Sequence, residues 1–263
     1  MFERIKDCIC HPRFIGKYNK DHVGIVILTI LLFFVFCLAM LAGRSYTEPA
    51  FDETTNLMFV SSLVKSDVKN TQYDSLNHKV TGESFELNES GYKLIVLPKE
   101  ETLNLKLDSI TVVLYESEAT VYFSTMNVSH ISYTDIQCSS FQFGNVAKNN
   151  PTDIYHFKIL IDEVLDSSRV FFQTFSFLQE AISLVVYYLI CVVFCYVLSI
   201  AINPTISKGV RAKFCFYDGC VFFIGAFFAY LFNFGMLIYF SLALPLIYTI
   251  ITFRHVIKVV IRR

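Results

Sequence analysis

Hydrophobic positions in this chain gather into long runs. Val23 to Gly43 is 21 residues without a charge, bracketed by Asp21 and Arg44. Ala181 to Ser207 is a second run, bounded by Glu180 and Lys208, with Asn203-Pro204 marking the expected helix end. Phe214 to Phe253 is a third, 40 residues with Asp218 as its one charge. A helix needs about 20 apolar residues to cross roughly 30 Å of hydrocarbon, so a single helix over the third run, about 60 Å long, would be twice too long. Two spans joined by a tight turn near Asn233-Phe234-Gly235 are predicted instead. The count is four transmembrane helices, at 23–43, 181–203, 214–233 and 235–253.

Between the first two runs the periodicity is different. Tyr92 to Leu97 reads as a strand ending at Pro98, and Leu103, Leu105 and Leu107 alternate with polar residues. Ile110–Tyr115 and Ala119–Ser124, rich in Val, Tyr and Thr around Glu116-Ser117-Glu118, predict an antiparallel hairpin. Phe51–Val68 is ambiguous and leans helical at its end, and Thr134-Asp135 is a candidate start for a short helix. From Asp153, just after Pro151, the spacing becomes helical: Ile154, Phe157, Ile161, Val164, Leu165, Phe171, Phe172, Phe175 and Leu178 fall near one face. No Gly or Pro interrupts this pattern before the second span, which predicts one long helix running from the domain into the membrane. The fold class is therefore membrane α-helical, with an α+β domain inserted between the first and second spans.

Charge sets the orientation. Residues 1–22 carry Arg4, Lys6, Arg13, Lys17 and Lys20; the 204–213 connection carries Lys208, Arg211 and Lys213; the 254–263 tail carries Arg254, Lys258, Arg262 and Arg263. With four spans all three basic segments lie on one side, which the positive-inside rule makes cytoplasmic. With three spans the tail would lie outside. Residues 44–180 are then extracytoplasmic, with 10 Lys/Arg against 19 Asp/Glu, a net of −9. An acidic outer domain argues against a nucleic-acid partner, which needs a basic surface. The chain as a whole is 54% hydrophobic and 17% charged with mean hydropathy +0.50, too apolar for an ordinary soluble domain at about 25% charged. The first run exceeds the apolar length of a signal peptide and reads as an uncleaved anchor.

Candidate chemistry is sparse. Of eight Cys only Cys138 lies in the outer domain, so that domain holds together by its core. Cys8-Ile9-Cys10-His11 lacks the second ligand pair of a structural zinc site and reads as a juxtamembrane segment. Cys191, Cys195, Cys215 and Cys220 read as small core hydrophobes. His78, His130 and His156 show no ligand spacing, and Glu83, Glu86 and Glu89 read as a solvated face. Asn88-Glu89-Ser90 and Asn127-Val128-Ser129 fit the glycosylation triplet, relevant only where the host secretes through an endoplasmic reticulum. No phosphate loop, nucleophile elbow or paired-carboxylate motif stands out, so no catalytic, cofactor or metal residues are assigned and an enzyme is not expected. Two residues remain as candidate intramembrane functional positions. Asp218 is the one ionisable acid inside a span, about one turn from the cytoplasmic edge, where it can couple ions, reach headgroups or pair with a basic neighbour. Pro245 is placed to kink the last span.

The layout resembles a bacterial multi-pass membrane family of unknown function that includes the maltodextrin-utilisation accessory proteins of Gram-positive sugar operons. The points of similarity are Phe2-Glu3-Arg4-Ile5 followed by Pro12 and a basic stretch, Leu94-Ile95-Val96-Leu97-Pro98, the segment Leu103 to Ser124 closing at Tyr122, and Ala243-Leu244-Pro245. Phe59 and Val60 stand where the family has a short Phe-containing motif, and Leu97 replaces an Asp usual near that place. The membrane part is also similar to the broader Yip-type superfamily. The resemblance implies a protein of the cytoplasmic membrane with no established reaction and no functional residues to carry over. The expected function is a non-catalytic accessory protein whose outer domain binds a partner or ligand, in support of carbohydrate uptake. Its expected partners are the lipid bilayer and either a transporter or signalling subunit or further copies of itself. Two alternatives stand beside it: a sensor relaying ligand binding through the long helix, and an oligomeric small-solute transporter.

Overall fold

The computed structural model describes residues 1–47, 51, 53–68, 70–89, 91–98 and 110–261. In chain order the elements are α1 (Phe2–Cys10), a 3-10 helix (Pro12–Lys20), α2 (Val23–Thr47) and α3 (Glu53–Val64). Strands β1 (Gln72–Asp74), β2 (Lys79–Thr81), β3 (Phe85–Glu89), β4 (Tyr92–Leu97), β5 (Ile110–Tyr115), β6 (Glu118–Phe123), β7 (Met126–Ser132) and β8 (Phe141–Gln142) follow. Then come α4 (Phe143–Ala147), α5 (Pro151–Asp166), α6 (Arg169–Ile202), α7 (Lys208–Gly219), α8 (Val221–Leu231), α9 (Met236–Ser241) and α10 (Ala243–Ile261). The chain divides into two compact units, Met1–Glu48 with Phe175–Arg263, and Pro49–Thr174.

The helical unit holds four helices long and apolar enough to cross a membrane: Val23–Thr47, Arg169–Ile202, Lys208–Leu231 and Met236–Val256. The third is the central one, 67% buried against 28% for each of the others. On α2 the buried positions are Val26, Thr29, Phe33, Cys37 and Leu41, a stripe at three- and four-residue spacing, while Leu31, Val35 and Phe36 are exposed. Two glycines allow close approach to the central helix. A Cβ on Gly219 would come within 2.9 Å of Tyr188 and Val192 on α6, and one on Gly225 would meet Ser241 Oγ at 2.1 Å. The turn near 233–235 lies between Leu231 and Met236, with Asn233 left-handed at φ 49°.

The second unit contains a five-stranded sheet in the order β3-β4-β5-β6-β7 and a three-stranded antiparallel sheet in the order β2-β1-β8. In the larger sheet β4 and β5 run parallel and the other pairs antiparallel. The hairpin forms in the register Ile110↔Phe123 to Leu114↔Ala119. Alternation assigns the faces: Leu94, Val96, Val112 and Leu114 enter the main core, while Ile95, Leu97 and Val113 pack with Tyr115 and Tyr122 in a separate cluster. Helix α5 packs Phe157, Leu160, Ile161, Val164 and Leu165 into the main core. Its start is fixed by Pro151 at the first position and by Asn150 Oδ1, which accepts from the Thr152 and Asp153 amides at 3.0 and 3.2 Å.

Several sequence expectations are corrected here. The long helix from Asp153 is two helices, interrupted at Ser167-Ser168. Both hydroxyls turn back onto the preceding turn, Ser167 Oγ to Val164 O at 2.6 Å and Ser168 Oγ to Leu165 O at 2.7 Å, competing with the backbone ladder. Beyond the break Phe175 and Leu178 are exposed, off the face that α5 buries. The third apolar helix begins at Lys208, six residues into what charge alone marks as the 204–213 connection, because a charge run limits the apolar stretch and not the helix. The first continues past Gly43 to Thr47. Two expectations hold: the helical lean within Phe51–Val68 is α3, and the short helix at Thr134-Asp135 is the 3-10 helix Tyr133–Asp135. The expected alternation at Leu103, Leu105 and Leu107 lies outside the described residues.

Gly225→Ala should destabilise the helical unit by ~1–3 kcal/mol, since the added methyl must displace Ser241 on a packed helix. Gly43→Ala, with nothing within 4 Å of its Cβ, should be neutral. Thermal unfolding of the detergent-solubilised protein checks both; equal midpoints would contradict the packing described.

Candidate functional site

Asp218 lies three turns into the helix that starts at Lys208 and is completely buried. Its side-chain partners are not the basic neighbour or headgroups that charge spacing suggests. The cations near it in sequence are engaged elsewhere. Arg211 donates to the carbonyls of Asn203 at 2.8 Å and Ile206 at 3.2 Å, capping the end of α6. Lys213 donates to the carbonyls of Asp21 at 2.5 Å and Asn19 at 3.3 Å. Asp218 is held instead by two hydroxyls one turn apart on α10: Thr252 Oγ1 lies 2.8 Å from Oδ1 and Thr249 Oγ1 lies 3.2 Å from Oδ2. No cation pairs with it among the described residues.

Thr252 Oγ1 also lies 3.1 Å from the Pro12 carbonyl. One hydroxyl carries one hydrogen and cannot serve both acceptors. The set closes fully when the carboxyl carries its own proton, donates to Thr252, and leaves the Thr252 hydrogen for Pro12. Tyr248 on α10 likewise donates to the Ile9 carbonyl. The amino-terminal segment is therefore docked on the bundle, with Cys8 and Ile15 fully buried. Burial, with the nearby Asp218 and Asp7 carboxyls, pushes the Cys8 thiol up to about 12, so it is an inert thiol at neutral pH. Cys10 is exposed, and no group of three or more His, Cys, Asp or Glu among the described residues is placed to hold a metal.

A second cluster fixes this segment. Arg4 pairs bidentately with Asp21, Nε to Oδ2 at 2.9 Å and Nη2 to Oδ1 at 3.1 Å, and Tyr217 donates to Asp21 Oδ2 at 2.6 Å. Tyr18 donates to Asp7 at 2.8 Å. The Arg4 guanidinium, then the Tyr217 hydroxyl, hold the Asp21 carboxyl below its ordinary value against the opposing effect of burial. Pro245 is the third residue of α10, and the helical run breaks at Leu242 just ahead of it. A proline ring there meets the carbonyl of Ser241 and offers it no N–H, which accounts for the break.

In the sheet unit a polar cleft of about 300 Å³ runs along β1 and β8, lined by Gln72, Asp74, Gln142, Asn145 and Asp153 over Tyr73 and Phe141. The two aromatic rings are 1% and 3% exposed and form its floor rather than a stacking surface. The Tyr73 hydroxyl has no hydrogen-bond partner in the described structure, and burial pushes it up to about 12. Cys138, the one thiol of this unit, is buried and free.

No family model, curated protein or solved structure matches this chain. Sequence reading finds Asp218 and Pro245 but not Thr249, Thr252, Asp21 or the cleft. Two threonines three apart in an otherwise apolar run are the signal for the Asp218 partners, since a buried carboxyl needs donors. The cleft leaves no such trace, because β1 and β8 are about 70 residues apart in sequence.

Asp218→Asn, whose amide can still donate to Thr252, should leave thermal stability within about 1 kcal/mol. Asp218→Leu, which removes the carboxyl from both threonines and leaves Thr252 only the Pro12 carbonyl, should lose ~1–3 kcal/mol in the same measurement. Asp21 adds a pH dependence. Its folded value is depressed, so its contribution is present above the ordinary aspartate range near about 4 and is lost as pH falls through the folded value. Midpoints taken from pH 7 down to pH 3 should fall in the acid range, and Arg4→Ala should flatten that limb.

Proposed function

We propose that this is an integral membrane protein of four spans with both termini cytoplasmic, whose sheet unit lies on the outer side as a non-catalytic binding domain serving a membrane partner. Four apolar helices support the membrane part, with side chains such as Val35, Phe36, Val193 and Phe194 about 60% exposed on the outer faces of α2 and α6. The orientation is supported by three basic segments that fall on one side. Where helix faces meet lipid, exposed valines and phenylalanines are the expected surface rather than a liability.

The observation that carries the binding role is the cleft along β1 and β8. Two carboxylates and three side-chain amides in one shallow groove offer acceptors and donors in pairs, which suits the vicinal hydroxyls of a neutral sugar better than a charged or apolar ligand. The resemblance to the maltodextrin-utilisation accessory proteins makes a short glucose polymer the first ligand class to try. A second reading, transport coupled to a proton at Asp218, is favoured by that buried carboxyl and its two hydroxyl partners.

Three measurements separate these. Membrane-impermeant maleimide should label Leu76→Cys, 89% exposed in the sheet unit, in intact cells, and should reach the exposed Cys10 only after permeabilisation. The reverse pattern overturns the orientation. Titration calorimetry with maltoheptaose should give binding that Asp74→Ala with Gln142→Ala weakens at least about tenfold, the loss expected when two hydrogen bonds to the ligand are removed. Crosslinked purification from native membranes should bring a stoichiometric transporter subunit. A clean homo-oligomer without sugar binding overturns the accessory role, and loss of flux from vesicles in a normally stable Asp218→Asn then establishes the second reading.

A further inference from the structure

A cavity of about 650 Å³ lies where the basic segments of the helical unit converge. The 3-10 helix contributes Arg13, Lys17 and Lys20, and α10 contributes His255. The apolar part of the lining is Phe14 with Ile206, Val210 and Phe214. No Asp or Glu lines it among the described residues. Lys17 is partly engaged, 3.6 Å from Asp7 and 4.2 Å from the centre of the Phe14 ring, whereas Arg13 and Lys20 are exposed.

The cavity combines two chemistries at a particular depth. Val210 and Phe214 lie in the first two turns of the helix Lys208–Leu231, and Val256, which also lines the cavity, lies on α10 just past Phe253 and Arg254, where the apolar run gives way to charge. The lining therefore passes from cations to apolar side chains at the two boundaries of the apolar run Phe214–Phe253, which in the four-span reading is where a phospholipid passes from phosphate to acyl chain. A soluble anion would use the cations and leave the Phe14, Ile206 and Val210 surface wet. An uncharged lipid would use the apolar wall and leave the Arg13 and Lys20 charges uncompensated. We propose that this cavity holds the phosphate head of an anionic phospholipid of the cytoplasmic leaflet, with its first acyl carbons against the apolar wall. The assignment rests on the four-span reading given above. Basic pockets between spans at that leaflet are suited to such heads by charge alone, and the apolar wall adds the selection against free anions.

The chain contains no Trp, so Phe14→Trp places a single fluorophore in the cavity, at a ring already 44% exposed. The protein is reconstituted in phosphatidylcholine vesicles containing either dibrominated phosphatidylglycerol or dibrominated phosphatidylcholine as a minor component. Flotation is read first. A chain that does not float with the vesicles overturns the four-span reading itself, and a chain that floats but is quenched equally by both lipids overturns only this inference. The expected result is preferential quenching by phosphatidylglycerol. Arg13→Ala with Lys20→Ala should cut that preference about tenfold, whereas Lys6→Ala with Arg254→Ala, the same charge lost outside the lining, should leave it. Equal effects of the two pairs would mean general surface attraction and would overturn the site. Displacement of the preference by millimolar inorganic phosphate would assign the cavity to a free anion and overturn the lipid. Mass spectrometry of the unsubstituted protein released from mixed-lipid nanodiscs supplies a readout without the Trp variant: retained phosphatidylglycerol in excess of its share supports the site, and retention in proportion to the mixture overturns it.

Discussion

A buried carboxyl joins three distant parts of the helical unit. Asp218 on the central helix is held by Thr249 and Thr252 on α10, and Thr252 in turn reaches the carbonyl of Pro12 in the amino-terminal segment. Apolar helices gain little by touching one another when lipid is the alternative, so packing alone selects a partner weakly and a register more weakly still. A polar group that must find donors selects both. Shifting α10 by one turn against the central helix would leave Asp218 with one of its two hydroxyls and separate Thr252 from the Pro12 carbonyl, and each buried bond left unmade costs about 1–3 kcal/mol. The glycines act with this constraint, since Gly219 and Gly225 bring α6 and Ser241 close enough to the central helix for the polar groups to meet.

The sheet unit depends on different physics. It has its own core, running from Phe59 and Leu63 through the strands to Phe157 and Phe172, and its single thiol is buried and unpaired. Its strands pair mainly with near neighbours in sequence, and its parallel pair β4–β5 and the distant pair β1–β8 are the exceptions. The distant pair is also where the polar cleft lies. A short edge strand brought in from about 70 residues away is what places Gln142 and Asp153 opposite Gln72 and Asp74.

Much of this architecture is legible from residues alone. Apolar runs bounded by charges give the four long helices and the 233–235 turn, because length against hydrocarbon thickness leaves little choice. The hairpin is equally plain, since β-branched residues flank a short acidic turn. What stays hidden depends on contacts rather than on periodicity. Residues 1–22 read as a basic tail because their charges are conspicuous and the burial of Cys8 and Ile15 is not. The break at Ser167-Ser168 contains neither Gly nor Pro, and only the two hydroxyls folded back on the preceding turn reveal it. Asp218 attracts attention as a lone acid, but its burial follows from what packs over it, which charge spacing does not encode.

The same cations carry two meanings at different stages. In the four-span reading proposed above, orientation depends on the number of Lys and Arg in each short segment, and all of them count. In the finished fold several are used internally: Arg4 on Asp21, Arg211 on the carbonyls of Asn203 and Ile206 just past α6, Lys213 on the carbonyls of Asn19 and Asp21. Lys6, Arg13, Lys20, Lys208 and Arg254 remain exposed. The potential that a ligand or lipid meets at this end is therefore set by a subset, concentrated where Arg13 and Lys20 flank an apolar wall. Orientation and recognition thus separate: a substitution at Arg211 acts on the helix end it caps, while one at Arg13 acts on whatever approaches from outside the bundle.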